Sequence, residues 1–371
     1  MCKLFLRTCI ALFFMAKFSV AMAQEQNLVL RNYLLPPGAG NPRNSEGAFI
    51  QLKDGKILFV YSHFTNGSRD EAAAYLAGRF SKDGGKTWTR EDQVVIPNEG
   101  KLNVMSVSLL RLSDGRIALF YLTKNSLDDC RPVMRLSTDE TLSWSEPKLC
   151  INEIGYFVLN NDRVIQTKSG RLLMPVALHK SSDGKKFNPA GKIFCYFSDD
   201  LGKSWHRSQE AKVTGNVQLQ EPGVVELSNG KIFLFCRTDE GHQFISISKD
   251  DGQTWRDLEV SSIVSPLSPA SIKRIPSTGD LFLVWNNNFQ PQAPNGGKRT
   301  PLNTALSKDE GKTWQNIKTI ESDPDGTFCY TAIEFVGENI LLAYTAGNRE
   351  TFPLSGIQMR RFPLRWVYSK I

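Results

Sequence analysis

Glu221 opens the apolar segment EPGVVEL, and Arg237 closes the next one, FLFCR. Further along, Arg299 lies in GKRTPLNTALSKDEG and Tyr330 begins the apolar run of FCYTAIEF. An arginine holds a carboxylate through paired, charge-assisted hydrogen bonds. A glutamate exchanges protons, and a phenol, with an ordinary pKa of about 10, is a poor nucleophile at neutral pH without a base beside it. Singly, these residues also read as surface arginines, a solvated glutamate and a half-buried tyrosine. Their weight comes from standing in order at strand ends. Other polar residues fall at comparable places. HFTNGSRDEAA carries Asp70 and Glu71, and NPRNSEGAFIQL carries Arg43 and Glu46. Asn103 precedes an apolar run, NNDR supplies Asn160, Asn161 and Arg163, and His179 follows LLMPVAL. Asn286, Asn287 and Asn288 follow LFLVW, and His63 follows FVYS. Asparagine and aspartate favour turns for local reasons, so each of these is a turn residue or a ligand contact.

The elements that must position these residues are legible. AFIQLKDGKILFVYS, SVSLLRLSDGRIALFYL, RVIQTKSGRLLMPVAL, GVVELSNGKIFLFCR, SIKRIPSTGDLFLVWN and TAIEFVGENILLAYTA each read as strand, Gly-bearing turn and strand, the pattern of a hairpin. Five octets interleave with them: SKDGGKTW, STDETLSW, SDDLGKSW, SKDDGQTW and SKDEGKTW, beginning at 81, 137, 198, 248 and 307. The Asp can accept backbone N–H bonds, the Gly suits a positive φ, and the Trp can pin the turn to a neighbour. Their period suits one four-stranded sheet, and radial repetition of such sheets makes a propeller. AAAYLAGRF is expected to be a strand. NLVLRNYLL or GIQMRRFPLRWVYS is expected to close the last sheet.

The chain has 371 residues, 41% hydrophobic and 22% charged, enough for a large core. Residues 1–23 read as a signal peptide: Lys3 and Arg7, the apolar IALFFMAKFSVAMA, then a small-residue cleavage site at Ala21, Met22 and Ala23. Lys17 breaks the apolar run, against a span of about 20 residues. A secreted or periplasmic product is therefore expected, with no stable membrane insertion after cleavage and one domain over 24–371. Loss of Lys3, Arg7 and Lys17 lowers the net charge from +7 to +4. No Lys/Arg run tracks a nucleic-acid backbone, so no nucleic-acid partner is expected. Of the cysteines after 23, Cys195, Cys236 and Cys329 lie in apolar strands as buried thiols, and a Cys130–Cys150 disulfide is allowed. No Cys/His spacing suggests a metal.

SxDxGxTW is the Asp-box, and five copies among six hairpins resemble the sialidase (neuraminidase) superfamily over nearly all of 24–371. The resemblance implies an all-β, six-bladed β-propeller with its Asp-boxes on outer turns, away from a central pocket. The octets would then be frame, and the fold alone does not choose among glycosidases, lyases and sugar-binding modules. It implies Tyr330 as nucleophile, Glu221 as its base, Arg237 and Arg299 as ligands of a substrate carboxylate, and Asp70, or Glu71 beside it, as the acid. A sialic acid carries a carboxylate on its anomeric carbon, which would repel a carboxylate nucleophile and suits a neutral tyrosine. The chain departs from the family at the first strand, where sialidases carry R-I-P. Ser45 stands at that arginine position, with Arg43 two residues before it and Glu46 just after. Either Arg43 reaches the pocket, or Glu46 intrudes and favours a neutral or differently charged sugar. Arg163, Asn161 and Asn103 complete the expected substrate contacts. The expected activity is an exported, retaining exo-α-sialidase acting on a terminal acidic sugar of a glycan, without metal or other cofactor. The rivals are another propeller exo-glycosidase or polysaccharide lyase on uronate- or rhamnose-containing glycans, and a non-catalytic sugar-binding propeller.

Overall fold

Successive side chains in a strand point to opposite faces, so a strand covered on both faces must be apolar throughout. Ile57–Phe64 shows this: Ile57, Phe59 and Tyr61 join one buried cluster, while Leu58 and Val60 join another. The computed structural model describes residues 30–179, 188–348 and 352–369. The segment 1–23, read above as a signal peptide, lies outside the described residues.

All six predicted hairpins form, and each is the start of a repeat. The first repeat is an antiparallel sheet of Arg43–Gln51, Ile57–Phe64, Ala74–Ser81 and Gln93–Ile96. The fourth is Gln220–Glu226, Ile232–Arg237, His242–Ser248 and Glu259–Val264, and the fifth is Ser271–Arg274, Leu281–Trp285, Leu302–Ser307 and Gln315–Glu321. The second and third share one nine-stranded sheet, in which the hairpins Asn103–Arg111 with Ile117–Lys124 and Ile165–Gln166 with Leu172–His179 sit apart. A single parallel pairing, Tyr156 with Cys130, joins the two halves. In the sixth repeat, Thr327–Val336, Asn339–Gly347 and Gly356–Pro363 are followed outermost by Leu30–Leu35. Both segments offered above as closing the last sheet therefore do so together.

The core is divided among the repeats. Six buried apolar clusters appear among the described residues; five lie between two successive repeats, and the one between the second and third also takes in Phe64 and Ala74 of the first. Phe49, Phe59 and Trp88 of the first repeat pack with Leu341 and Ala343 of the sixth. Burying a side chain such as Phe or Leu contributes roughly 1.5–3 kcal/mol, so much of the packing energy is held between sheets. The first strand of each repeat lies innermost. Arg43–Gln51 touches both Asn103–Arg111 and Thr327–Val336, and Ser271–Arg274 touches both Gln220–Glu226 and Thr327–Val336.

Each octet is the turn after a third strand, at the rim. In the first, Asp83 Oδ1 accepts from the backbone N–H of Lys86 at 3.0 Å and Thr87 at 2.9 Å, and Ser81 Oγ accepts from Gly85 N at 2.9 Å. Gly85 has φ +83°, and a Cβ there would lie 2.6 Å from Leu341 of the sixth repeat. The fourth octet residue reaches the preceding repeat: Glu140 accepts from Lys53 N at 2.8 Å, and Glu310 from Ser228 N at 3.0 Å. No octet residue lines the central cavity described below. All five described cysteines are buried free thiols, Cys130 and Cys150 included.

Candidate functional site

Four innermost strands carry the same irregularity. Pairing shifts between Ser45 and Ala48, Met105 and Ser108, Gln220 and Gly223, and Cys329 and Ala332, each time setting two residues against one. These are β-bulges, which bend a strand and re-aim a side chain. At each, one non-glycine residue is left-handed: Glu46 (φ +54°), Ser106 (+60°), Glu221 (+48°) and Tyr330 (+56°). That conformation costs on the order of 1–3 kcal/mol and is found preferentially at functional sites. All four line one cavity of about 330 Å³.

On one wall, Tyr330 Oη donates to Glu221 Oε1 at 3.0 Å, and Arg237 Nη1 donates to Glu221 Oε2 at 2.7 Å. The Arg299 guanidinium lies 5.5 Å from the Tyr330 ring centre and is steadied by Cys329 Sγ and the Leu267 carbonyl. Burial would raise the Glu221 carboxyl, but Arg237 and Arg299 outweigh it and hold it below the usual carboxylate range. Burial and the neighbouring Glu221 push the Tyr330 phenol well up. The free site thus holds a neutral phenol against an ionised carboxylate, with two guanidinium groups on the same wall.

The first repeat builds another wall. Arg43, only 1% exposed, sends Nη1 to Asp70 Oδ1 at 2.5 Å and Nη2 to Glu46 Oε1 at 3.2 Å. Ser106 donates its hydroxyl to Glu46 Oε2. Lys124, buried, donates to the Asp70 carbonyl at 2.9 Å and lies 5.3 Å from the Tyr156 ring centre. Burial raises the Glu46 carboxyl to about 7, reinforced by Asp70 and opposed by Arg43. Asn160, His179 and Gln220 also line the cavity. His179 Nδ1 is 2.9 Å from the Asn188 carbonyl, and burial lowers its pKa.

Of the expected site residues, the structure gathers Tyr330, Glu221, Asp70, Glu46, Arg237 and Arg299 around this one cavity. Four others stand outside its lining. Arg43 lies behind the wall as the cation between two carboxylates. Asn103 donates to the carbonyls of Asp70 and Ala72 at 2.7 and 2.8 Å, so it ties down the loop that presents Asp70. Asn161 donates to the Gly47 and Tyr330 carbonyls at 2.8 and 3.2 Å, fixing two bulges from behind. Arg163 is 4% exposed and bonds to Ser271 Oγ and the Ala270 carbonyl in the interior. Each is polar near a strand start, but the neighbouring sheet covers it. Asn286 likewise donates to the Pro301 and Phe328 carbonyls, tying the segment just after Arg299 to the strand that carries Tyr330. His63 stands 2.8 Å from Asp92 and stacks on Tyr75, away from the cavity. Sequence reasoning passed over Ser106, Lys124, Tyr156 and Gln220. The signal for Ser106 is its bulge, which appears only once the strands are in register. Among the described residues, no group of three or more His, Cys, Asp or Glu side chains is placed to hold a metal, and no helix is long and apolar enough to cross a membrane.

The BNR repeat-like domain family matches residues 82–341. A sialidase of Micromonospora viridifaciens is 24% identical over 367 residues, covering 88% of this chain and 52% of the relative. The chain spans about half the length of the curated relatives it matches. Among solved structures, a Dyadobacter fermentans protein of unknown function superposes with a TM-score of 0.72 at 20% identity, over 91% of this chain and 99% of that one. The Hadza microbial sialidase Hz136 superposes with a TM-score of 0.71 at 16% identity, over 88% and 66%. These likenesses show an all-β, propeller-like fold.

Proposed function

The chain belongs to the BNR repeat-like domain family of the sialidase superfamily, and on that premise we propose that it is an exported glycoside hydrolase removing a terminal acidic sugar, in the first instance a retaining exo-α-sialidase. The observation that carries the proposal is the 3.0 Å bond from Tyr330 Oη to a Glu221 carboxylate that Arg237 holds by its other oxygen. Glu221 takes the phenol proton as Tyr330 Oη attacks the anomeric carbon. A carboxyl on the first-repeat wall, Asp70 or Glu46, protonates the departing oxygen, and water then releases the sugar from tyrosine with net retention. A substrate carboxylate resting on Arg237 and Arg299 would draw positive charge away from Glu221 and raise its basicity, so anion binding would favour nucleophile activation.

The wider reading is a closed six-bladed propeller over 24–371. It counts the nine-stranded sheet as two blades and takes support from the six inter-repeat cores, the last joining the sixth repeat to the first. Residues 1–23 support export to the periplasm or medium. The partner is the glycan itself, with neither nucleic acid nor membrane.

Turnover of a fluorogenic α-sialoside, undiminished by a chelator, tests the activity. A fluorinated sialoside should label a peptide containing Tyr330, and labelling at Asp70 or Glu221 would overturn the nucleophile assignment. One observation favours a second reading. Glu46 lines the cavity where sialidases are expected to present a third arginine, and Arg43 lies behind it. Release from a uronate- or rhamnose-capped glycan, with none from sialosides, would decide for another exo-glycosidase or lyase.

A further inference from the structure

This inference rests on reading the cavity as a glycosidase site. Three carboxyl groups line that cavity: Glu221, committed to Tyr330 and Arg237, and Glu46 with Asp70 on the first-repeat wall. The last two share one guanidinium. Arg43 sends Nη1 to Asp70 at 2.5 Å and Nη2 to Glu46 at 3.2 Å. Their surroundings differ. The Asp70 side chain is 56% exposed and has the nearer cation, which favours its ionised form. The Glu46 side chain is 6% exposed, has the longer arginine contact, and turns its second oxygen to the Ser106 hydroxyl. One cation does not neutralise two carboxylates, and the desolvated one keeps a proton more readily. Where environments push two titratable groups apart, they assign the acid and the base.

The geometry points to Glu46 as the general acid and base of this cavity, with Asp70 as the residue that, through Arg43, positions it. The left-handed backbone that Glu46 shares with Glu221 and Tyr330 aims all three side chains inward, at a cost the bulges hold in place. The titration directions agree. Burial carries Glu46 to about 7, opposed by Arg43 and the Ser106 bond and reinforced by Asp70 and Glu221. The surrounding wall would raise Asp70, but Arg43 and Lys124 hold its carboxyl below the ordinary range. Lys124, Tyr156, His179, Arg237, Arg299 and Tyr330 are the remaining titratable groups on the cavity walls.

In the first step the Glu46 O–H proton passes to the glycosidic oxygen while the bond to the anomeric carbon breaks toward that oxygen. Tyr330 Oη forms its bond to the carbon, and Glu221 takes the phenol proton. In the second, the Glu46 carboxylate accepts a proton from water as the water oxygen attacks the carbon. The tyrosyl bond breaks toward Oη, which recovers its proton from Glu221. The balance is one glycosidic bond and one water consumed, and two hydroxyl groups formed.

Glu46→Gln and Asp70→Asn are compared on an alkyl glycoside, whose alcohol must be protonated to leave, and on an aryl glycoside, whose phenol need not be. Glu46→Gln should lose at least about 10²-fold in kcat/KM on the alkyl substrate and under about tenfold on the aryl one, within the span usual for a positioned acid. Its loss of activity above pH 7 should disappear, and azide should restore turnover as glycosyl azide. Asp70→Asn should slow both substrates alike and keep the alkaline limb. A leaving-group-dependent loss in Asp70→Asn and not in Glu46→Gln overturns the assignment. The proton is read separately, without turnover. The infrared difference between wild type and Glu46→Gln should contain a carboxylic-acid band that disappears as pH rises through about 7. Taking the difference removes Glu334, a half-buried carboxyl also raised to about 7. Absence of that band overturns the proposal even in an active enzyme. A wild type that cleaves no glycoside overturns the glycosidase reading and the catalytic role with it.

Discussion

Tyr330 and Glu221 are 109 positions apart in sequence, and their 3.0 Å bond exists because both are the left-handed residue of an inner-strand bulge. Tyr330→Phe keeps the ring and its contact with Arg299, so the fold should survive while turnover falls by about 10²–10⁴-fold or more. Arg299→Ala should act differently. The carboxylate it would hold is present in ground and transition states alike, so binding should weaken with a smaller change in kcat. Glu46 also leaves a mark on stability. Its folded pKa of about 7 lies above the ordinary 4.5, so the native state binds the extra proton between those values. Stability should therefore fall as pH rises from about 4.5 to 7, by up to about 3 kcal/mol at roughly 1.4 kcal/mol per pKa unit. Denaturant titrations across that range should show a shallower fall for Glu46→Gln; an unchanged slope would contradict a buried, proton-retaining Glu46.

Behind three of the bulges stands a buried tyrosine tied to an ion pair. Tyr61 bonds to Asp92 beside Arg79, Tyr121 to Glu99 beside Arg135, and Tyr344 to Glu321 beside Arg360. The tyrosine sits opposite the two-residue side of the bulge, so the element that aims a site residue is braced from the next strand. The octets act at the other end of each sheet. Asp250 accepts from Thr254 N and Oγ1, and Asp250→Ala should cost roughly 1–3 kcal/mol for turn donors left unpaired. The folded variant should keep nearly normal turnover, since the octet stands clear of the cavity. The divergent octet offers the reverse test. Thr141 occupies the glycine position with φ +75°, where its counterparts Gly202 and Gly252 have φ +86° and +84°. Thr141→Gly should therefore raise unfolding stability by about 1 kcal/mol, because relief of the left-handed strain outweighs the added chain entropy.

At the scale of the molecule, the sixth repeat is assembled from both ends of the described chain, with Leu30–Leu35 paired outside Gly356–Pro363. Deleting residues 30–35 should expose that strand as an unpaired edge. The expected result is a loss of several kcal/mol, at about 1 kcal/mol per net hydrogen bond, and greater aggregation on heating. Acid sensitivity should also be distributed around the rim. The carboxyls of Asp83, Asp200 and Asp309 are held at about 2 by octet hydrogen bonds, against an ordinary 3.8. A depressed carboxylate pKa stabilises the fold above the unfolded value and stops doing so as pH falls through the folded one. Melting temperatures should thus drop most steeply between about pH 4 and 2, and replacing octet aspartates by asparagine should flatten that drop.

The hairpins, the octet turns and the strand character of AAAYLAGRF are local matters of alternation, turn residues and hydrogen bonds within a few positions, and the sequence by itself determined them. It also placed Glu221, Arg237, Arg299 and Tyr330 at strand ends, which the fold then brings to one cavity. It could not choose between Arg43 and Glu46. A bulge changes the register, and a shift of one residue turns every later side chain to the other face. Nor could it separate Asn160, which lines the cavity, from Asn161, which braces it from behind. Neighbouring residues of one type are told apart only by what covers them. Here the cover is Gly47 and Tyr330, more than a hundred positions away on either side, and only the tertiary structure decides that.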